Sequence, residues 1–165
     1  MYSCFGSAHS SVLAAGIHVG MLPRDRLPQD KEILNLPHYD RTTSNEIGQI
    51  FEFGEDEMGH QVYIIGMAGG DKVIIPAIKD FMQVIGKPVD ELVIIKTLPL
   101  VNLRTRIGGF LSRKLHLVFL GRPLTIWGLK KRYWHFVRLV GNVKKVVKRQ
   151  EKFKNQGRIE PDVVE

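Results

Sequence analysis

Cysteine occurs once in 165 residues, at Cys4. A lone cysteine excludes an internal disulfide and a thiolate zinc cluster built within one chain, and it points to a reducing compartment. No apolar run approaches the roughly twenty residues that cross a bilayer. The opening Met1-Tyr2-Ser3-Cys4-Phe5-Gly6 also lacks a basic segment followed by a long apolar stretch, so no secretory signal is read there. These absences predict a cytoplasmic setting.

Acids are missing from Leu92 to Gln150, where Lys and Arg total fourteen. The rest of the chain holds the other ten bases (24 minus 14) and all seventeen acids, so the net charge of +7 divides into a cationic part of +14 and an acidic remainder of −7. Such asymmetry suits a partner of opposite charge: nucleic acid, an anionic membrane surface, or the chain's own acidic half.

With 44% hydrophobic and 25% charged residues the chain is neither disordered nor fibrous, and its length fits one core. The expected organisation is a single α/β domain over residues 1–150. A polar, frayed tail over 151–165 would follow, containing Gly157 and Pro161.

Along that domain, residues 1 to 6 read as a short buried strand running into Gly6-Ser7-Ala8-His9-Ser10-Ser11. A helix follows, in which Val12, Leu13, Ala14, Ala15, Ile17 and Val19 are too uniformly apolar and small for a surface position. Gly20 and Pro23 end it. A short helix is read after Asp30, and Pro37 to Asn45 as a surface loop. Gln49–Phe53 and Gln61–Met67 are β-rich runs joined by Gly54 to Gly59, a hairpin. Asp71 caps a helix from Lys72 to Gly86.

Leu92 to Ile95 reads as a buried strand, 101–114 as a helix, and Leu115 to Leu120 as a third parallel-strand candidate closed by Gly121-Arg122-Pro123. One long basic helix is expected from Thr125 to Gln150, with Tyr133, Phe136, Val137, Val140, Val143 and Val147 on one face. Strands alternating with helices imply parallel pairing. The predicted fold is a three-layer α/β sandwich with a mostly parallel sheet plus an antiparallel hairpin.

In such a sheet, ligands gather where strand ends lead into helix N-termini, which expose unpaired N–H groups and partial positive charge. Residues 6 to 11 occupy that place. Gly6 allows close backbone approach, Ser7 and Ala8 carry the loop, Ser10 and Ser11 offer hydroxyls, and His9 adds a donor able to act as acid or base. The predicted guest is a phosphate-bearing small molecule, a nucleotide or phosphometabolite, in a transferase or hydrolase. The competing reading is that Ser7, Ser10 and Ser11 only cap the helix.

A Walker A loop would require Gly-Lys-Ser/Thr, and the lysine is missing. Counting Cys-x5 from Cys4 reaches Ser10 where a tyrosine phosphatase needs arginine, which leaves Cys4 an inert strand residue. The segment Phe5 to Ala14 resembles the pyrophosphate loop of ATP pyrophosphatases, Ser-Gly-Gly-x-Asp-Ser. It departs by Phe5 for the first serine, Ser7 for the second glycine and His9 for the aspartate. Imidazole in place of the acid favours an anion over a metal.

Secondary candidates are Asp40 and Arg41 in the polar loop, and Gly69, Gly70 and Lys72 in a second strand, glycine turn and helix start. The spacings of His9, His18, His38 and His60 match no metal-ligand pattern, and no cofactor is specified. The alternative function is a non-enzymatic adaptor whose residues 130–149 bind nucleic acid or an anionic membrane, since Lys130 to Arg138 interleave cations with Tyr133, Trp134 and Phe136.

Taken together, Cys4 to Pro23 with its Gly-x-x-His-Ser-Ser core, Ile107-Gly108-Gly109-Phe110-Leu111-Ser112 and Gly121-Arg122-Pro123-Leu124 resemble a domain-of-unknown-function family (number 3189) of Gram-positive, largely spore-forming bacteria. The resemblance implies a bacterial cytosolic setting and carries no activity.

Overall fold

A computed structural model describes residues 1–100 and 118–155. Strands β1 (Tyr2–Cys4), β2 (Ile50–Glu55), β3 (Gln61–Gly66) and β4 (Ile95–Lys96) form an open sheet of four strands in the order β2-β3-β1-β4. β1 lies parallel to both neighbours, with Tyr2 opposite Ile64 and Ile95, and β2 runs antiparallel to β3. The hairpin carries an irregularity between Glu52 and Gly54. The expected α/β class, a mostly parallel sheet with one antiparallel pair, is the class observed.

Five helices lie among the described residues: α1 (Ser10–His18), α2 (Asp30–Leu34), α3 (Asp71–Val84), α4 (Val118–Lys131) and α5 (Tyr133–Asn155). β3 and β4 flank β1 on opposite sides, so the chain crosses the sheet in opposite directions after β1 and after β3. Right-handed crossovers then place α1 and α3 on opposite faces and open a topological switch point between the carboxyl ends of β1 and β3.

α1 is buried at every residue because it packs on β1 and β3 and is covered by α5. Its small residues permit this close fit: a β-carbon on Gly16 would stand 2.8 Å from Leu36. α5 supplies Tyr133, Phe136, Val140 and Val143, spaced for one helical face and all buried. Burying an apolar side chain of such size stabilises by about 1.5–3 kcal/mol, so this face holds α5 to the core.

Five expectations require correction. Val118 to Leu120 begin α4 where a strand was expected; 115–117, and the helix expected over 101–114, lie outside the described residues. A short apolar run cannot by itself separate a buried strand from a helix. Gly121-Arg122-Pro123 closes nothing, since Pro123 lies inside α4. The single basic helix is two, broken at Arg132.

The buried strand Leu92 to Ile95 narrows to Ile95–Lys96, which is half-exposed and, among the described residues, paired with β1 alone. The loop Pro37 to Asn45 is not a free surface segment, for Tyr39 and Thr42 are buried and its backbone is tied to the β1–α1 loop.

Candidate functional site

The loop after β1 is built by backbone contacts that its small residues allow. Met67 N–H donates to Cys4 O and Ala68 N–H to Phe5 O, zipping the β3–α3 turn onto the β1–α1 loop. From the other side Asp40 N–H donates to Ala8 O at 3.0 Å, and Thr42 Oγ1 donates to Gly6 O at 2.7 Å. Ser7 adopts a positive φ of 53°, which turns the chain into α1.

Ser7, Ala8, Ser10 and Ser11 are buried by this packing, and His9 is half-buried. Two hydroxyls are already engaged. Thr97 Oγ1, whose proton goes to Ser3 O at 2.8 Å, accepts from Ser10 Oγ at 2.9 Å, and Ser11 Oγ shares a 3.0 Å hydrogen bond with Cys4 Sγ. Ser7 differs: its Oγ is buried with no hydrogen-bond partner among the described residues.

The backbone amides follow the same pattern. The first helical bond of α1 runs from Leu13 N–H to His9 O. Ahead of it, the N–H groups of Ser7, Ala8, His9, Ser10, Ser11 and Val12 donate to no carbonyl or side chain among the described residues. Buried backbone donors are almost always paired, because each orphan costs about as much as a lost hydrogen bond. Six successive donors and a hydroxyl at the positive end of a helix form a ready cradle for an anion.

His9 stands beside the cradle. Its Nε2–H donates to Asp40 Oδ1 at 3.2 Å, and Arg122 Nε donates to the other oxygen of Asp40 at 2.9 Å. The Asp40 carboxylate is nearly fully buried between them, and the His9 ring meets Tyr39 edge-on at 5.5 Å. A carboxylate on one ring nitrogen fixes the imidazole's orientation and tautomer, leaving Nδ1 for another partner.

The structure thus brings Gly6 through Ser11 together with Asp40. Arg41, by contrast, is exposed, and among the described residues only its backbone is bonded. Gly69 lines a hollow of about 300 Å³ with Cys4, Met67, Asp71 and Lys96, Gly70 precedes α3, and Lys72 is exposed. Arg122, Thr42 and Thr97 were not read from the sequence as site residues. Gly121-Arg122-Pro123 was a landmark of the family resemblance, the one signal that could have singled out Arg122.

A second polar array lies at the opposite end of the strands. Tyr2 OH donates to His18 Nδ1 at 2.6 Å, and His18 Nε2–H donates to Asp56 Oδ2 at 3.1 Å. His60 Nδ1 sits 3.2 Å from both Asp56 oxygens, and its Nε2 reaches Glu151 Oε1 at 2.8 Å. Burial lowers the His18 pKa and raises that of Tyr2, so both are neutral at pH 7. Burial works against charge on Asp56, yet the N–H groups of His60 and Met58 and the two rings hold its carboxyl well below the usual range. His60 is raised: burial opposes its charge, and the bonds to Glu151 and Asp56 prevail. Tyr2, His18 and His60 border a cavity of about 510 Å³.

The bases of α4 and α5 are partly spoken for. Lys130 pairs with Asp30 at 2.7 Å and Lys144 with Glu57, while Arg132, Arg138, Lys145, Lys148 and Arg149 are exposed. Among the described residues no helix is long and apolar enough to cross a membrane, and no group of three or more His, Cys, Asp or Glu is placed to hold a metal ion.

An open mixed α/β sheet with a helix N-terminus at its switch point defines the class. Within it the chain belongs to the family described as Protein of unknown function (DUF3189), whose model matches residues 1–145. No curated protein and no solved structure matches. The likeness to ATP pyrophosphatases therefore rests on the loop residues alone.

Proposed function

We propose that the protein binds a phosphate-bearing small molecule on the N–H groups of Ser7 to Val12, with Ser7 Oγ as an additional donor. One observation carries the reading: six successive amides and a buried hydroxyl lack any partner among the described residues, at the positive end of α1. A phosphate offers several acceptor oxygens and the charge that this end of a helix favours. The contribution expected of Ser10 and Ser11 passes from their engaged hydroxyls to their amides.

His9 is the group beside the cradle able to exchange a proton with a bound ester, and Asp40 orients it. A transferase or hydrolase acting on a phosphorylated substrate is the class of activity this arrangement serves. The adaptor reading draws on the exposed bases Arg132, Arg138, Lys145, Lys148 and Arg149, while the apolar face of α5 is taken up by α1.

A thermal-shift titration with inorganic phosphate, pyrophosphate and ATP tests the reading. A ligand at a hundred times its Kd stabilises by about 2.7 kcal/mol, a readily measured rise in Tm. Ser7→Asp, which puts a carboxylate into the cradle, should abolish the rise, while Ser7→Ala should weaken it. No rise with any of the three ligands overturns the proposal.

A further inference from the structure

Beside the cradle, at the carboxyl ends of β1, β3 and β4, lies the hollow of about 300 Å³. Cys4, the last residue of β1, lines it, and its walls are largely apolar: Cys4, Met67, Gly69, Leu98 and Pro99. Its polar lining is Ser3, whose hydroxyl donates to Ile95 O, and one matched charged pair. Lys96 Nζ donates to Asp71 Oδ2 at 3.1 Å, Lys96 leaving the end of β4 and Asp71 opening α3.

The hollow is tied to the cradle by the backbone itself. Met67 N–H and Ala68 N–H donate to Cys4 O and Phe5 O, so the turn that walls the hollow is the same turn that braces the phosphate loop. Ala68 and Gly69 both take positive φ, 49° and 87°, to make that junction. That shared turn makes the crevice at the switch point a place for the remainder of a molecule whose phosphate sits on α1.

The chemistry of the walls selects that remainder. The charges of Lys96 and Asp71 cancel, so the hollow offers no net cation for a second phosphate or a carboxylate. Its apolar walls are a poor match for a bare sugar, whose hydroxyls would go unbonded. A planar heterocycle fits both features: its faces rest on Met67, Leu98 and Pro99, and its edge, with donor and acceptor side by side, meets the adjacent donor of Lys96 and acceptor of Asp71.

We infer that the ligand is a nucleoside phosphate, with its base in the hollow walled by Met67, Leu98 and Pro99 and its edge read by Lys96 and Asp71. This rests on the proposed phosphate site and goes further by choosing the nucleotide over other phosphometabolites.

The test is calorimetric titration of the full chain with inorganic phosphate, ribose 5-phosphate, and AMP, GMP, CMP and UMP. At least one nucleotide should bind about tenfold or more tighter than ribose 5-phosphate, a difference of about 1.4 kcal/mol. Leu98→Trp, which fills the hollow without adding charge, should reduce that nucleotide to the affinity of ribose 5-phosphate and leave inorganic phosphate unchanged. Lys96→Ala, on an exposed side chain that folding does not need, should remove the discrimination among bases. Equal affinity for ribose 5-phosphate and all four nucleotides overturns the inference and leaves the phosphate site standing. Absence of binding by every phosphate overturns both.

Discussion

Gly66 stands so close to Gly6 that a β-carbon on Gly66 would lie 2.8 Å from the α-carbon of Gly6 and 3.0 Å from Ser7 N. Backbone presses on backbone here, with no flexible side chain to give way. The last residue of β3 thus sets the position of the first residue of the cradle.

Gly66→Ala should therefore cost more than its size suggests. Overpacking of this kind destabilises by about 1–3 kcal/mol, and the displaced loop should also lose affinity for phosphate. Chemical denaturation read beside a phosphate titration checks both. A variant of unchanged stability and unchanged affinity would contradict the close approach.

Asp40 and Arg41 are neighbours in sequence with opposite surroundings. Asp40 is buried between His9 and Arg122, whereas Arg41 is exposed. Asp40→Ala should lower stability by about 3–5 kcal/mol, the usual loss when one partner of a buried charged pair is removed, moderated by the exposure of Arg122. Arg41→Ala should change it by no more than about 0.5 kcal/mol. Equal effects in thermal denaturation would remove Asp40 from its assigned role.

Tyr2→Phe deletes one hydroxyl and leaves His18 Nδ1 a buried acceptor without a donor. The expected loss is about 1–3 kcal/mol. Denaturation of the variant against the parent chain at pH 7 measures it.

The two histidines that share Asp56 should respond to pH in opposite directions. His60 has a raised pKa, so its contribution is complete below about 6.5, the unfolded value, and fades as pH rises through the folded one. His18 is lowered, so its burial costs nothing above about 6.5 and destabilises as pH falls below it. His60→Gln should therefore lose more stability at pH 5.5 than at pH 8.5. A loss independent of pH would show that His60 does not carry charge in this array.

Much of this fold was legible because local chemistry and tertiary context agree. α1 is mostly small or apolar and is buried all round; the β-rich run from Gln61 supplies β3; Asp71 begins a helix. Where the reading failed, one pattern admitted two structures. Leu115 to Leu120 is apolar enough for a strand, and its last three residues are helical. Thr125 to Gln150 has one periodicity, and nothing in it announces the break at Arg132.

The candidate loop was visible for the same reason that it is local: residues 6 to 11 are contiguous. Asp40 was suspected as a loop acid, but its place between His9 and Arg122 joins residues 31 and 82 positions away in the chain. The Tyr2, His18, Asp56, His60 and Glu151 array is likewise made only by folding, since His60 and Glu151 lie 91 positions apart. Periodicity carries no information about such meetings. The hydroxyls of Ser10 and Ser11, expected to face a ligand, turn inward to Thr97 and Cys4 because α1 is buried at its very start.

The most direct measurement follows the backbone amides of isotope-labelled protein by nuclear magnetic resonance as inorganic phosphate is added. The N–H signals of Ser7, Ala8, His9, Ser10, Ser11 and Val12 should move together and saturate with a single Kd. If those six stay still while signals of the exposed bases on α5 drift without saturation, the cradle binds no anion.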